Sequence, residues 1–174
     1  PADGGRGMTS LAAPAPAGAG VTGQVVRGVD VARAEIDGTD AALVWPASMG
    51  WVDAETVTSL IEAHGTDRAV VLRPAFRGLP GWPALVPVMH LEGLTGTAAG
   101  RGEAELLDDL AASGVPFRTV ELGDPGTTHD LATAFEELPP FEGPPEPAAE
   151  HHHEWGSPAA AGPDEPPEPA RTAG

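Results

Sequence analysis

Pro74-Ala-Phe76-Arg77-Gly78-Leu-Pro-Gly81-Trp82-Pro83 packs three prolines and two glycines into ten residues. Prolines fix φ and set turns, while glycines let backbone approach a ligand or a neighbouring strand closely. The stretch therefore reads as a tight, shaped loop. An apolar run, Ala69 to Leu72, leads into it and is predicted to be a strand.

On the N-terminal side of this stretch, Ala41 to Trp45 reads as a short buried strand following Asp40. Asp53 is well placed as a helix N-cap. Val57, Leu60, Ile61 and His64 follow at helical spacing, and Gly65 is the expected stop. Glu103 to Ser113 repeats the helical pattern through Leu106, Leu107 and Leu110, with Gly114 ending it, and Val115 to Leu122 contains a further strand. Strands alternating with helices predict an α/β layered fold with largely parallel pairing. Three or four strands are few for such a sheet, so the expectation is half of a domain, or a reduced one.

Composition divides the 174 residues into three zones. Residues 1–23 are rich in Ala, Gly and Pro and read as a flexible segment. The periodic apolar signal is confined to 24–138. Residues 139–174 are Pro, Glu and Ala with almost no large apolar side chain, a composition that cannot offset the entropy of ordering. The expectation for this acidic tail is disorder, or attachment to a partner.

Net charge is −17. The excess is spread along the chain: 19 acids against 8 arginines up to residue 138, then 7 acids against Arg171. Long-range repulsion therefore disfavours nucleic acid and anionic membranes as partners. All nine basic residues are Arg. Without lysine the chain has no P-loop lysine and no Schiff-base lysine. Without cysteine it has no disulfide, thiolate zinc site or thiol nucleophile. No apolar run approaches the ~20 residues of a membrane span, and residues 1–10 do not read as a secretory signal. The expected location is the cytoplasm.

The segment 74–83 resembles the P-x-[YF]-x-G-x-x-G-H-P loop of molybdenum cofactor cytidylyltransferases and their MobA-like relatives, with Trp82 where that family usually has His. Two flanking segments are similar in order and spacing. Ala42-Leu-Val-Trp-Pro-Ala-Ser48-Met49-Gly50-Trp-Val52-Asp53 resembles the family's A-L-V-x-x-x-D-M-P-x-V-D, and Asp130-Leu-Ala132-Thr133-Ala134-Phe-Glu136 resembles D-I-D-T-P-E-D. Between them, Gly102, Leu106 and Leu107 keep part of an L-x-G-D-x-G-A-R-x-L-L stretch. The likeness covers roughly residues 24–138. It implies a three-layer, Rossmann-like nucleotidyltransferase-type domain, present in its C-terminal half. In the family an Asp in each flanking segment holds Mg²⁺, which bridges carboxylates to substrate phosphates. Here those positions are Ser48 and Ala132. The family's glycine-rich nucleotide-binding opening has no counterpart in the chain.

Other motifs have plainer readings. Gly18-Ala-Gly20-Val-Thr-Gly23 satisfies G-x-G-x-x-G, with Asp40 downstream, but no strand precedes it, so linker is the better reading. His151, His152 and His153, flanked by Glu150 and Glu154, form a possible Zn²⁺ or Ni²⁺ tract, or simply a solvated one. Trp155 beside them is a candidate anchor on a partner. His64 and His129 read as structural or solvated rather than catalytic. Arg73 and Arg77 are candidates for binding a phosphate or pterin oxygen, against the commoner alternative of pairing with carboxylates. Trp45, Trp51 and Trp82 read as core or interface residues.

These readings together predict a nucleotidyltransferase-like protein linked to molybdenum cofactor nucleotide chemistry. It is expected to be catalytically inactive and to act as an accessory or scaffold subunit, with a protein partner or in a homo-oligomer. The substrate-loop candidates are Pro74, Phe76, Arg77, Gly78, Gly81, Trp82 and Pro83. Mg²⁺ and CTP or GTP are expected only if a partner completes the site. One alternative is an active transferase completed by such a partner chain. Another is a structural or binding subunit of a larger metalloenzyme assembly.

Overall fold

The computed structural model describes residues 13–16, 18–92, 94 and 102–143. His151, His152, His153 and Trp155 lie outside the described residues. The elements run α1 (Gly20–Glu35), β1 (Ala41–Val44), α2 (Ala54–Thr66), β2 (Val71–Phe76), β3 (Leu79–Pro80), β4 (Ala84–Pro87), the single-turn α3 (Val88–Leu91), α4 (Glu103–Ala112) and β5 (Phe117–Glu121). Two 3-10 turns follow, Pro125–Thr127 and Phe135–Glu137.

The five strands make a small α/β domain whose sheet is mixed. β1 pairs antiparallel with β4, β4 antiparallel with β2, and β2 antiparallel with β3, while β2 and β5 pair in parallel from Val71↔Phe117 to Ala75↔Glu121. The expected largely parallel pairing is thus wrong. The reason lies in the proline-rich stretch, which is a β-hairpin and not a loop. Arg77 and Gly78 both have positive φ, 52° and 78°, the signature of a two-residue hairpin turn whose twist matches its strands. The chain reverses there, so β3 and β4 run against β2.

Pro74 lies inside β2, where proline normally has no place. Between the pairs Ala75↔Pro80 and Leu72↔Leu85, two residues of β2 face four of the opposite strand, 81–84. This bulge, which contains the cis Trp82–Pro83 bond, relieves the ladder where Pro74 cannot donate. The Pro74 carbonyl still accepts from Gly81 N at 2.7 Å.

The core has two sides. On one face α1, α3 and α4 bury Val29, Leu91, Leu106, Leu107 and Leu110 against Val44, Val71 and Val86. On the other, Leu60 of α2 meets Leu72, Leu85 and Leu122. α2 begins as its sequence indicates: the Asp53 carboxylate accepts from Glu55 N at 2.8 Å. Its end differs, because Gly65 is helical and Asp67 caps the helix. α4 does stop at Gly114, which takes φ 80°. Helix α1 starts at Gly20, inside the segment read as linker, and Ala15 folds back onto it by bonding Gln24. Residues 139–143, counted with the tail, pack onto the domain itself. Glu142 N donates to Gly123 O at 2.9 Å, and Arg77 Nε donates to the Glu142 carboxylate at 3.0 Å. No helix among the described residues is long and apolar enough to cross a membrane.

Candidate functional site

β1, β2 and β5 all run in one direction, so the segments leaving their C-terminal ends share an edge of the sheet. Open α/β sheets hold ligands at that edge. Segment 46–53 leaves β1, the hairpin turn caps β2, and segment 122–133 leaves β5. Main-chain bonds join them. Leu131 N donates to Ser48 O at 2.8 Å, and Trp82 N donates to Thr127 O at 2.8 Å. The indole Nε1 of Trp51 is shared between Asp130 O and Thr133 O, each 3.1 Å away.

Between them opens a cleft of about 510 Å³, lined in part by Met49, Gly81, Trp82, Thr127, His129 and Asp130. Ser48 and Ala132 are both exposed beside it, brought together by the Leu131–Ser48 bond. The three segments that carry the family resemblance therefore meet at one place. Asp130 is the one carboxylate among the described lining residues, and one of its oxygens accepts from Ala132 N at 3.0 Å. Among the described residues no three His, Asp or Glu side chains gather as a metal ligand set. Ser48 and Ala132 offer a hydroxyl and a methyl, a donor set unsuited to Mg²⁺, which prefers anionic oxygens.

Within the hairpin, the candidate residues divide by role. Phe76 is buried, and Pro74 and Pro83 are fully so. Arg77 N and Gly78 N both donate to the Glu121 carboxylate, at 2.9 and 2.8 Å. The Arg77 guanidinium pairs with Glu142, whose hydrogen bond raises the arginine's pKa further. Arg73 donates from Nε to Gly81 O at 3.1 Å and from Nη2 to Pro80 O at 3.3 Å, and lies 5.4 Å from the Trp82 ring centre. Burial pulls its pKa down, with the Asp108 carboxylate opposing. Both arginines thus brace the hairpin: the carboxylate-pairing alternative describes Arg77, and Arg73 binds backbone carbonyls.

His129 is placed differently. Its Nδ1 lies 2.8 Å from Pro125 O and 3.1 Å from the Thr128 hydroxyl. A carbonyl cannot donate, so Nδ1 carries a proton in this contact. His64 stands at the opposite edge of the sheet. It is buried, neither ring nitrogen makes a hydrogen bond, and Nε2 is 3.6 Å from the Asp40 carboxylate.

Three residues central to the site were not singled out from sequence. Asp124 is 2% exposed. Its Oδ2 accepts from Asp53 N at 2.9 Å and from Thr56 Oγ1 at 2.7 Å, and its Oδ1 accepts from Gly126 N at 2.8 Å. It ties the start of α2 to the turn after β5. Thr127 and Glu121 hold the hairpin from outside. Asp124-Pro125-Gly126 did carry a turn signal, but nothing marked it as buried. No protein-family model matches the chain, and no curated protein matches its sequence.

Proposed function

We propose that the chain is a nucleotidyltransferase-like protein linked to molybdenum cofactor nucleotide chemistry, without catalytic activity of its own, that serves as an accessory or scaffold subunit. The domain is then the partial, three-layer Rossmann-like form of that fold. The observation that carries the reading is the Leu131–Ser48 hydrogen bond. It joins the two segments in which the resemblance places metal-holding acids, while Ser48 and Ala132 supply none. Nucleotidyl transfer depends on charge neutralisation at the phosphates, and the cleft offers one carboxylate and no free arginine among its described lining residues. Titration calorimetry with CTP and GTP in Mg²⁺, beside a pyrophosphate-release assay with molybdopterin supplied as the acceptor, tests this. Neither binding nor release is expected from the chain alone; nucleotide-dependent pyrophosphate release overturns the reading.

A second reading, an active CTP- or GTP-dependent transferase completed by a partner chain, draws support from β1. Among the described residues this strand pairs on one side with β4 and on the other with none. A hollow of about 270 Å³ runs beside it under α1. An open edge of this kind accepts an added strand. Native mass spectrometry of the protein taken from its source, with activity assayed on any complex found, separates the two.

A further inference from the structure

A second hollow, of about 380 Å³, is lined in part by Trp51 and shares no described lining residue with the cleft, and nothing in the nucleotidyltransferase reading uses it. Three aromatic residues line it: Trp51, Phe135 and Phe141. The Trp51 and Phe135 ring centres are 5.4 Å apart with planes at 51°, a tilted corner and not a stack. Phe135 and Phe141 remain 64% and 48% exposed, so the fold does not bury these rings for its own stability. Asp53 and Asp124 complete the charged part of the lining, and no basic residue is among the described lining residues. Aromatic walls beside carboxylates that have no basic residue with them in the described lining favour a cation, as does the −17 charge of the chain.

The hydrogen bonds narrow the class. A carboxylate offers about four lone-pair sites, and Asp124 has three occupied by Asp53 N, Thr56 Oγ1 and Gly126 N. It presents negative charge with little remaining capacity to accept. The exposed Asp53 carboxylate is bonded to Glu55 N alone among the described residues, but a guanidinium or primary ammonium seated against Asp124 gives up hydrogen bonds to water that this buried carboxylate does not replace. A methylated ammonium has none to give up and is held by ring faces and nearby charge.

We propose that this hollow binds a quaternary ammonium group. It takes the head of a choline-type molecule or of a trimethylated lysine side chain. The inference is independent of the nucleotidyltransferase reading. The test uses the full-length chain labelled with ¹⁵N, following the Trp51 indole resonance, assigned through Trp51→Phe. Choline, a trimethyl-lysine peptide, methylguanidinium and NaCl at matched ionic strength are titrated in turn. Saturable shifts with choline or the trimethyl-lysine peptide support the proposal, and the tighter of the two identifies the source. Phe135→Ala and Phe141→Ala, at exposed positions, are expected to weaken binding roughly tenfold with the circular dichroism spectrum unchanged. No saturable shift with either quaternary ligand overturns the proposal. Methylguanidinium binding as tightly as choline does too, and so does equal affinity in both alanine variants.

Discussion

A Cβ placed on Gly81 would stand 2.2 Å from the carbonyl oxygen of Thr127. That oxygen also accepts the N–H of Trp82, so the hairpin and the segment after β5 meet backbone to backbone. Gly126 repeats the relationship against Trp51, whose carbonyl oxygen would lie 2.1 Å from its Cβ. Three segments distant in sequence are thereby held at a spacing that side chains would prevent.

Gly81→Ala should therefore be costly, because backbone atoms on both sides must move. The expected loss is about 2–4 kcal/mol, read as a lower urea midpoint at unchanged slope. A midpoint equal to that of the parent protein would mean the two segments do not touch as described.

Gly65→Ala should do the opposite. Gly65 is inside α2, and nothing lies within 4 Å of its added Cβ. Alanine removes the backbone-entropy penalty of a helical glycine, worth about 0.5–1 kcal/mol. Thermal unfolding should shift upward by a few degrees; a downward shift contradicts the placement of this residue in the helix.

Asp124→Asn is close to isosteric yet should destabilise. Whichever way the amide is turned, its NH₂ faces a backbone N–H, that of Asp53 or of Gly126, which loses its acceptor. The cost of one such buried donor is about 1–3 kcal/mol. Asp124→Ala abandons all three donors and should cost more. Denaturant titration of both variants gives the order; alanine the milder of the two would remove Asp124 from its bridging role.

Ser48→Asp combined with Ala132→Asp tests the proposed likeness to metal-dependent nucleotidyltransferases. The two positions adjoin through the Leu131–Ser48 bond, so paired acids should create measurable Mg²⁺ affinity by calorimetry. On the proposed reading pyrophosphate release should stay absent, since neither substitution supplies the glycine-rich half that would cradle a triphosphate. Turnover by the double variant would show that this half is dispensable.

Elements with a strong local signal were legible in the sequence. Ala41–Val44, the Asp53 cap and the Leu106–Leu107–Leu110 stripe ending at Gly114 all appear where their residue patterns put them. Strand direction was not legible, since it depends on the Arg77–Gly78 turn, and an arginine at positive φ gives no sequence signal. Pro74 looked incompatible with a strand because the bulge that tolerates it lies on the partner strand, across the sheet. Helix α1 escaped notice because three of its residues are glycine and only Thr22 and Val29 are buried. At the site, the segments were identifiable but their fastening was not. Asp124 and Glu121 act through backbone N–H groups, which every residue but proline carries.

Trp51 bears on both hollows. Its ring lines the aromatic hollow, while its N–H holds the two carbonyls that shape the cleft. An occupant of the hollow that tilts the indole therefore loosens or tightens its hold on the Asp130 and Thr133 carbonyls, whose residues line the cleft. Thermodynamic linkage makes that influence mutual: the factor by which the first tenant alters affinity for the second is the factor returned. Two hollows linked through a single side chain are in that sense one instrument with two keys.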